Sequence, residues 1–157
     1  MKLEIRRFSE KDIEEVLSMI QETIHSINGQ DYSLREREVW AGSFTDVQQW
    51  TKRIQSSEAF VAKSGGRIVG IVNLQPPDIV DLLYVHKDLQ RQGVAQSLLN
   101  VVEQFASKKK ALVLHTESSV TAYPFFNSQG FRIIGEQSKS VQGITMKNIR
   151  MCKKLHS

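Results

Sequence analysis

One cysteine, three prolines and no long apolar run mark this 157-residue chain by what it lacks. The lone Cys152 excludes an internal disulfide and suits a reducing cytoplasm. No apolar stretch approaches the ~20 residues that cross a bilayer, so no membrane partner is expected. The opening Met1-Lys-Leu-Glu-Ile-Arg-Arg7 alternates charged and apolar residues. It builds no apolar leader core, and no secretory signal is expected. Neither G-x-x-x-x-G-K-[ST] nor G-x-G-x-x-G occurs, which argues against a P-loop and a dinucleotide fold. No His/Cys/Asp/Glu cluster has metal-ligand spacing, so no metal is expected. Acidic residues fall short of basic ones, 17 against 21, and the resulting charge of +4 favours anionic ligands without requiring nucleic acid. The densest basic run, Lys108-Lys109-Lys110, falls where a helix should end and reads as a complement to its C-terminus.

What is present fits one soluble domain. A hydrophobic content of 40% is enough for a core at this length. Leu3 and Ile5 alternate with polar residues and predict a strand over residues 2–7. Ser9 with Asp12 resembles a capping box. Ile13, Val16, Leu17, Ile20, Ile24 and Ile27 recur at helical spacing, so a helix is expected from Glu10 to Ile27, closed by Asn28-Gly29. Ser33 and Asp46 are placed to cap short helices through Trp40 and Ile54. Phe60–Ala62 and Ile68–Leu74 read as strands around a Ser64-Gly65-Gly66 hairpin turn. Pro76-Pro77 breaks the chain before a strand over Ile79–Val85. A helix follows over Val94–Ala106, then a strand over Ala111–Thr116. A short helix starts at Thr121 or a nearby serine, with Pro124 in its first turn. Two closing strands run over Phe131–Ile134 and Ile144–Cys152.

The junction Gln90-Arg91-Gln92-Gly93-Val94-Ala95 carries the most chemistry. A strand that turns through glycine into a helix points unpaired N–H groups and a positive dipole end at one place, which favours an anion. Gly93 permits close backbone approach, and Ala95 keeps the next position small. Gln90, Arg91 and Gln92 add polar donors.

This spacing resembles the Q/R-x-x-G-x-G/A signature of the GNAT superfamily, the GCN5-related N-acetyltransferases. The preceding Leu83-Tyr84-Val85 and the later Phe125-Phe126-Asn127-Ser128-Gln129-Gly130-Phe131 resemble the family pattern in the same order. Asp31-Tyr-Ser33 and Trp40-Ala41 are similar to a stretch of some bacterial small-molecule members. The resemblance implies a mixed α/β (α+β) fold over one N-acetyltransferase domain, residues 1–157. Its twisted sheet would be mostly antiparallel, with helices on both faces and a splay between two central parallel strands. It implies acetyl-CoA as co-substrate and no metal. Leu83, Tyr84 and Val85 would line the pantetheine arm. Gln90, Arg91, Gln92, Gly93, Val94 and Ala95 would cradle the pyrophosphate, with Gln96 close by.

Direct acetyl transfer to an amine needs donors for the oxyanion, a base for the ammonium and, for the leaving thiolate, a proton. Family members often carry a tyrosine five residues before the last Phe, where this chain has Phe126. Tyr123, three residues earlier, is the nearest phenol and the candidate acid. Asp81 and Glu117 are the candidate bases, at the ends of the two strands expected to splay. His86 and His115 read as structural. Tyr32 and Trp40, with Phe44 and Trp50, concentrate aromatic surface where an acceptor would bind; packing of the two short helices explains them equally well. The expected reaction is acetyl-CoA-dependent acetylation of a primary amine of a small molecule in the cytoplasm. The expected partners are that amine, no nucleic acid and no membrane, with a homodimer left open. A non-catalytic acyl-CoA-binding regulatory module is the alternative, favoured by the absent tyrosine at Phe126.

Overall fold

The computed structural model describes residues 2–155. The chain runs β1 (Glu4–Arg7), α1 (Ile13–Ile27), α2 (Leu34–Gly42), α3 (Val47–Gln55), β2 (Glu58–Ser64), β3 (Arg67–Gln75) and β4 (Ile79–Val85). It continues through α4 (Val94–Lys108), β5 (Val113–Ser118), α5 (Tyr123–Ser128), β6 (Arg132–Val141) and β7 (Ile144–Lys154). Seven strands form one sheet in the order β1-β2-β3-β4-β5-β7-β6. Every neighbouring pair is antiparallel except β4 with β5.

Local signals act largely as expected. Ser33 Oγ accepts from Glu36 N at 3.1 Å while Glu36 Oε1 accepts from Ser33 N at 2.8 Å, which starts α2 with a reciprocal cap. Asp46 Oδ1 accepts from Gln49 N at 3.0 Å and starts α3. The residues before α1 form a 3-10 turn, Glu10–Asp12, rather than helix. There Asp12 Oδ2 accepts from Ser9 N at 2.8 Å, and Arg6 grips both carboxylate oxygens at 2.8 Å.

Two apolar clusters sandwich the sheet. Ile13, Val16, Leu17, Ile20 and Ile24 of α1 are buried against Val61, Ile68, Ile71 and Leu82 on one face. On the other, Leu98, Leu99 and Val102 of α4 pack on Val69, Val72, Val80 and Leu114. α4 sits close over β3 because Gly70 has no side chain. A Cβ there would stand 2.7 Å from Leu98 Cδ1 and 3.2 Å from Val94 Cγ1. That contact fixes the start of α4 against the sheet.

Two further boundaries are set by the tertiary structure. β6 extends from Arg132 to Val141, well past Ile134. Its outer half, Glu136-Gln-Ser-Lys-Ser140, carries no apolar alternation because it is an exposed edge, held instead by its antiparallel pairing with β7. α5 begins at Tyr123, and of the two starts expected for it the structure uses the nearby serine rather than Thr121. The turn before it is organised by Ser119, whose Oγ accepts from Ala122 N at 3.0 Å.

Candidate active site

β4 and β5 pair only at Ile79 with His115 and Val80 with Thr116. Beyond them, β4 runs on from Asp81 to Val85 without a β5 partner, so the sheet opens into a gap. Ladder alternation decides what β4 shows there. His86 N donates to Val69 O at 2.8 Å, and two residues back along this register Tyr84 exchanges bonds with Ile71. Leu83 and Val85, opposite Val72 and Gly70, therefore turn their main-chain groups toward the gap. Val85 O is already engaged by Thr23 Oγ1 at 3.2 Å and Gln90 Nε2 at 2.7 Å. The N–H groups of Leu83 and Val85 are the donors offered to a molecule in the gap.

The Val85 end of β4 leads into the glycine turn. Arg91 and Gly93 both adopt positive φ, 61° and 85°, which swings the chain into α4. Gly93 heads that helix, and the first bond inside it runs from Ser97 N to Gly93 O at 3.0 Å. The N–H groups of Val94, Ala95 and Gln96 therefore lack helical partners. A Cβ on Gly93 would meet no protein atom within 4 Å, so the space over this helix end is open. Arg91, Gln92 and Gln96 are exposed around it. Gln90 is placed differently from expectation: its amide turns back onto Val85 O and ties the strand end to the loop.

The Asp81 end of β4 opens into a cleft of about 840 Å³ that takes in Tyr32, Trp40, Asp81, Leu83, Tyr84 and Glu117. Trp40 meets Tyr32 edge-on at 5.1 Å, Trp50 stacks on Phe44 at 4.5 Å, and Phe44 meets Tyr84 edge-on at 5.8 Å. Tyr32 is also a tie, accepting from Val120 N at 2.8 Å and donating to Lys147 O at 3.2 Å. Burial raises the pKa of its phenol, opposed by the Val120 hydrogen bond. Burial likewise pushes the Tyr84 phenol up, with Trp40 opposing, so both remain protonated at neutral pH.

Both candidate bases line this cleft. Asp81 is held by Arg53, whose Nη2 and Nε donate to its two oxygens at 2.7 and 3.1 Å. Glu117, at the end of β5, is exposed and, among the described residues, in no ion pair. His86 Nδ1 accepts from Asp88 N at 3.1 Å, and His115 Nε2 lies 3.8 Å from Asp78. Neither histidine lines the cleft. Tyr123 does not line it either; its ring packs half-buried against the α4-side cluster, and Phe126 occupies the cleft wall from α5. Among the described residues no cluster of three His, Cys, Asp or Glu is arranged for a metal, and no helix is long and apolar enough to cross a membrane.

Three residues of this region escape a reading of the sequence. Arg53 falls three positions after Trp50 on α3 and lays its guanidinium 4.6 Å over that ring; the spacing was its only signal. Thr23 looks like an ordinary polar residue of α1. Asn73 is wholly buried within apolar β3, where its Oδ1 accepts from Leu82 N at 2.7 Å across a register shift.

A parallel pair that parts beside a helix N-terminus, with an aromatic cleft beyond, is the arrangement that the GNAT resemblance implies. A family model described as an acetyltransferase (GNAT) domain matches residues 28–154. The chain belongs to the GNAT acetyltransferases. It is 26% identical over 149 residues, 95% of this chain and 94% of the other, to the Escherichia coli (strain K12) protein called uncharacterized N-acetyltransferase YafP. A GCN5-related N-acetyltransferase from Rhodopseudomonas palustris superposes with a TM-score of 0.95 at 27% identity, over 98% of this chain and 96% of that one. PaiA N-acetyltransferase from Thermoplasma acidophilum, solved in complex with coenzyme A, shares the fold with a TM-score of 0.80 at 19% identity, over 98% and 99%.

Proposed function

We propose that the whole chain is one domain that transfers acetyl from acetyl-CoA directly to a primary amine of a small molecule. The observation that carries this is the opening of β4 from β5, with helix-start donors at one end and an aromatic cleft at the other. The coenzyme A in the PaiA complex supports the same co-substrate here. The helix start at Gly93 to Gln96, with Arg91 and Gln92, suits the pyrophosphate. The Leu83 and Val85 main chain suits the pantetheine arm, whose amides pair as an added strand would. Bound acetyl-CoA supplies an acetyl thioester at the cleft.

The residues do the rest. A main-chain N–H in the gap stabilises the oxyanion. Asp81 or Glu117 accepts a proton from the acceptor's ammonium. Nitrogen then forms its bond to the acetyl carbon as the carbon–sulfur bond breaks. The second nitrogen proton is lost and the thiolate is protonated, giving an amide and free coenzyme A. A thiolate leaves without a strong acid, since thiol pKa values lie near 8.5. The packed position of Tyr123 therefore does not block the reaction. The lone Cys152 supports a reducing cytoplasmic setting.

The test is an amine panel with purified protein and acetyl-CoA, reading free thiol and acetylated product by mass spectrometry. Stoichiometric thiol and amide are expected. Acetyl-CoA binding with no thiol release from any amine would instead support the regulatory acyl-CoA module.

A further inference from the structure

The amino-acid chemistry of the acceptor can be taken from the ion pair inside the cleft, on the footing that the protein is an amine acetyltransferase. Arg53 spends two N–H donors on Asp81, yet its side chain is 47% exposed against 18% for Asp81. The guanidinium also stacks on Trp50 at 4.6 Å, a contact that does not involve Asp81. Asp81 is fixed by β4, directly before the open edge at Leu83.

A plain amine meets a difficulty here. To use Asp81 it must share that carboxylate with the Arg53 guanidinium, so two cations crowd one anion, and it offers the two guanidinium donors no anion of its own. An acceptor that carries both an ammonium and a carboxylate does not. Its carboxylate takes the two guanidinium donors, its ammonium takes Asp81, and all four charges stay paired. The aromatic wall of Trp40, Phe44, Trp50 and Tyr84 then faces the remainder of the molecule. The other cleft charges are otherwise occupied or outside this exchange. Asp46 caps α3, Lys147 pairs with Glu136 at 3.0 Å, Lys139 lies across on the β6 edge, and Glu117 stands on β5.

We propose that Arg53 and Asp81 form an exchangeable ion pair that selects an amino acid with an apolar or aromatic side chain as acceptor. Arg53 binds its carboxylate, and Asp81 receives its ammonium and accepts the proton. The chemistry is the same transfer as above, with the amino acid's nitrogen forming the amide bond.

The experiment compares three carboxylated amines with their decarboxylated partners under saturating acetyl-CoA: L-phenylalanine with phenethylamine, L-leucine with isoamylamine, and L-methionine with 3-methylthiopropylamine. The wild-type protein should favour the carboxylated member of at least one pair by about tenfold or more in kcat/KM, the scale of one charge-assisted hydrogen bond. Arg53→Gln should bring that ratio close to one, mainly through a higher KM for the amino acid. Arg53→Lys, which keeps the charge but not the fork, should leave an intermediate ratio. Thermal melts of both variants check that the fold is kept. Decarboxylated amines that react as well as their partners in every pair, or a preference that survives Arg53→Gln, would overturn the proposal while leaving the acetyltransferase reading in place. No thiol release from any of the six sinks this proposal. Silence across the wider amine panel sinks both.

Discussion

The two ends of β4 are built in different ways. At the Val85 end the functional groups are main-chain donors, set by a positive-φ glycine and the first turn of α4. At the Asp81 end they are side chains from α2, α3, β4 and β5, gathered from positions far apart in sequence. The first end is generic, because any phosphate meets the same N–H groups. The second is particular, because its shape depends on which ring and which charge each element supplies. The proposed function puts a shared co-substrate at the first end and a private acceptor at the second.

The largest effect should fall on the particular end. Replacing the acting base removes roughly 10²–10⁴-fold of the rate. Asp81→Asn or Glu117→Gln should show a loss of that order in kcat once an acceptor is in hand, and His86→Ala should not. If only the histidine variant loses the basic limb of the pH–rate profile, the carboxylate assignment fails.

Next comes the contact that poises the generic end. Gly70→Val would drive atoms into Leu98 and Val94, and overpacking of this kind costs about 1–3 kcal/mol. Urea unfolding should show it, together with weaker CoA binding as the start of α4 lifts. An unaffected protein would mean that the helix is seated by other contacts.

A smaller effect probes the ion pair at the start of α1, the helix whose Thr23 bonds Val85 O. The Arg6 hydrogen bond holds the pKa of Asp12 below the ordinary carboxylate range. A depressed folded pKa stabilises fully above the unfolded value of about 3.9 and is lost as pH falls through the folded one. Asp12→Asn should cost about 1 kcal/mol at pH 7. The gap from wild type should narrow in acid below that unfolded value. A gap independent of pH would remove the ion pair from the explanation.

The smallest effect is expected at Tyr123. Its ring packs on the α4-side cluster and Phe126 takes the cleft wall. Tyr123→Phe should therefore change kcat by less than about twofold, far below the contribution of a general acid. A hundredfold drop with intact CoA binding would restore the phenol to the chemistry.

This division also explains what was legible. Helix α1 was readable from six apolar residues at one spacing, and the glycine turn from its position between strand and helix. Both are properties of consecutive residues. The outer half of β6 was not readable, because an exposed edge strand needs no apolar pattern and takes its order from β7. The aromatic cluster was visible as composition and expected near an acceptor, with helix packing as an equal account; the cleft it lines with Asp81 and Glu117 is set by tertiary structure. Arg53 carries no signal in the sequence beyond its spacing from Trp50, and only the packing of α3 beside β4 brings it to Asp81. The start of α5 was legible only as Thr121 or a nearby serine, and the Ser119 turn decides between them.

The central claim is that the turn at Gly93 holds the phosphates of acetyl-CoA. Calorimetric titration of acetyl-CoA into wild type and Gly93→Glu tests it most directly. At φ 85° any side chain is strained, and a glutamate would put negative charge into the open space over the helix start. Measurable binding by the wild type and a loss of about a hundredfold or more in the variant, equivalent to ~2.7 kcal/mol, is the predicted result. Unchanged affinity in a folded Gly93→Glu protein would contradict it.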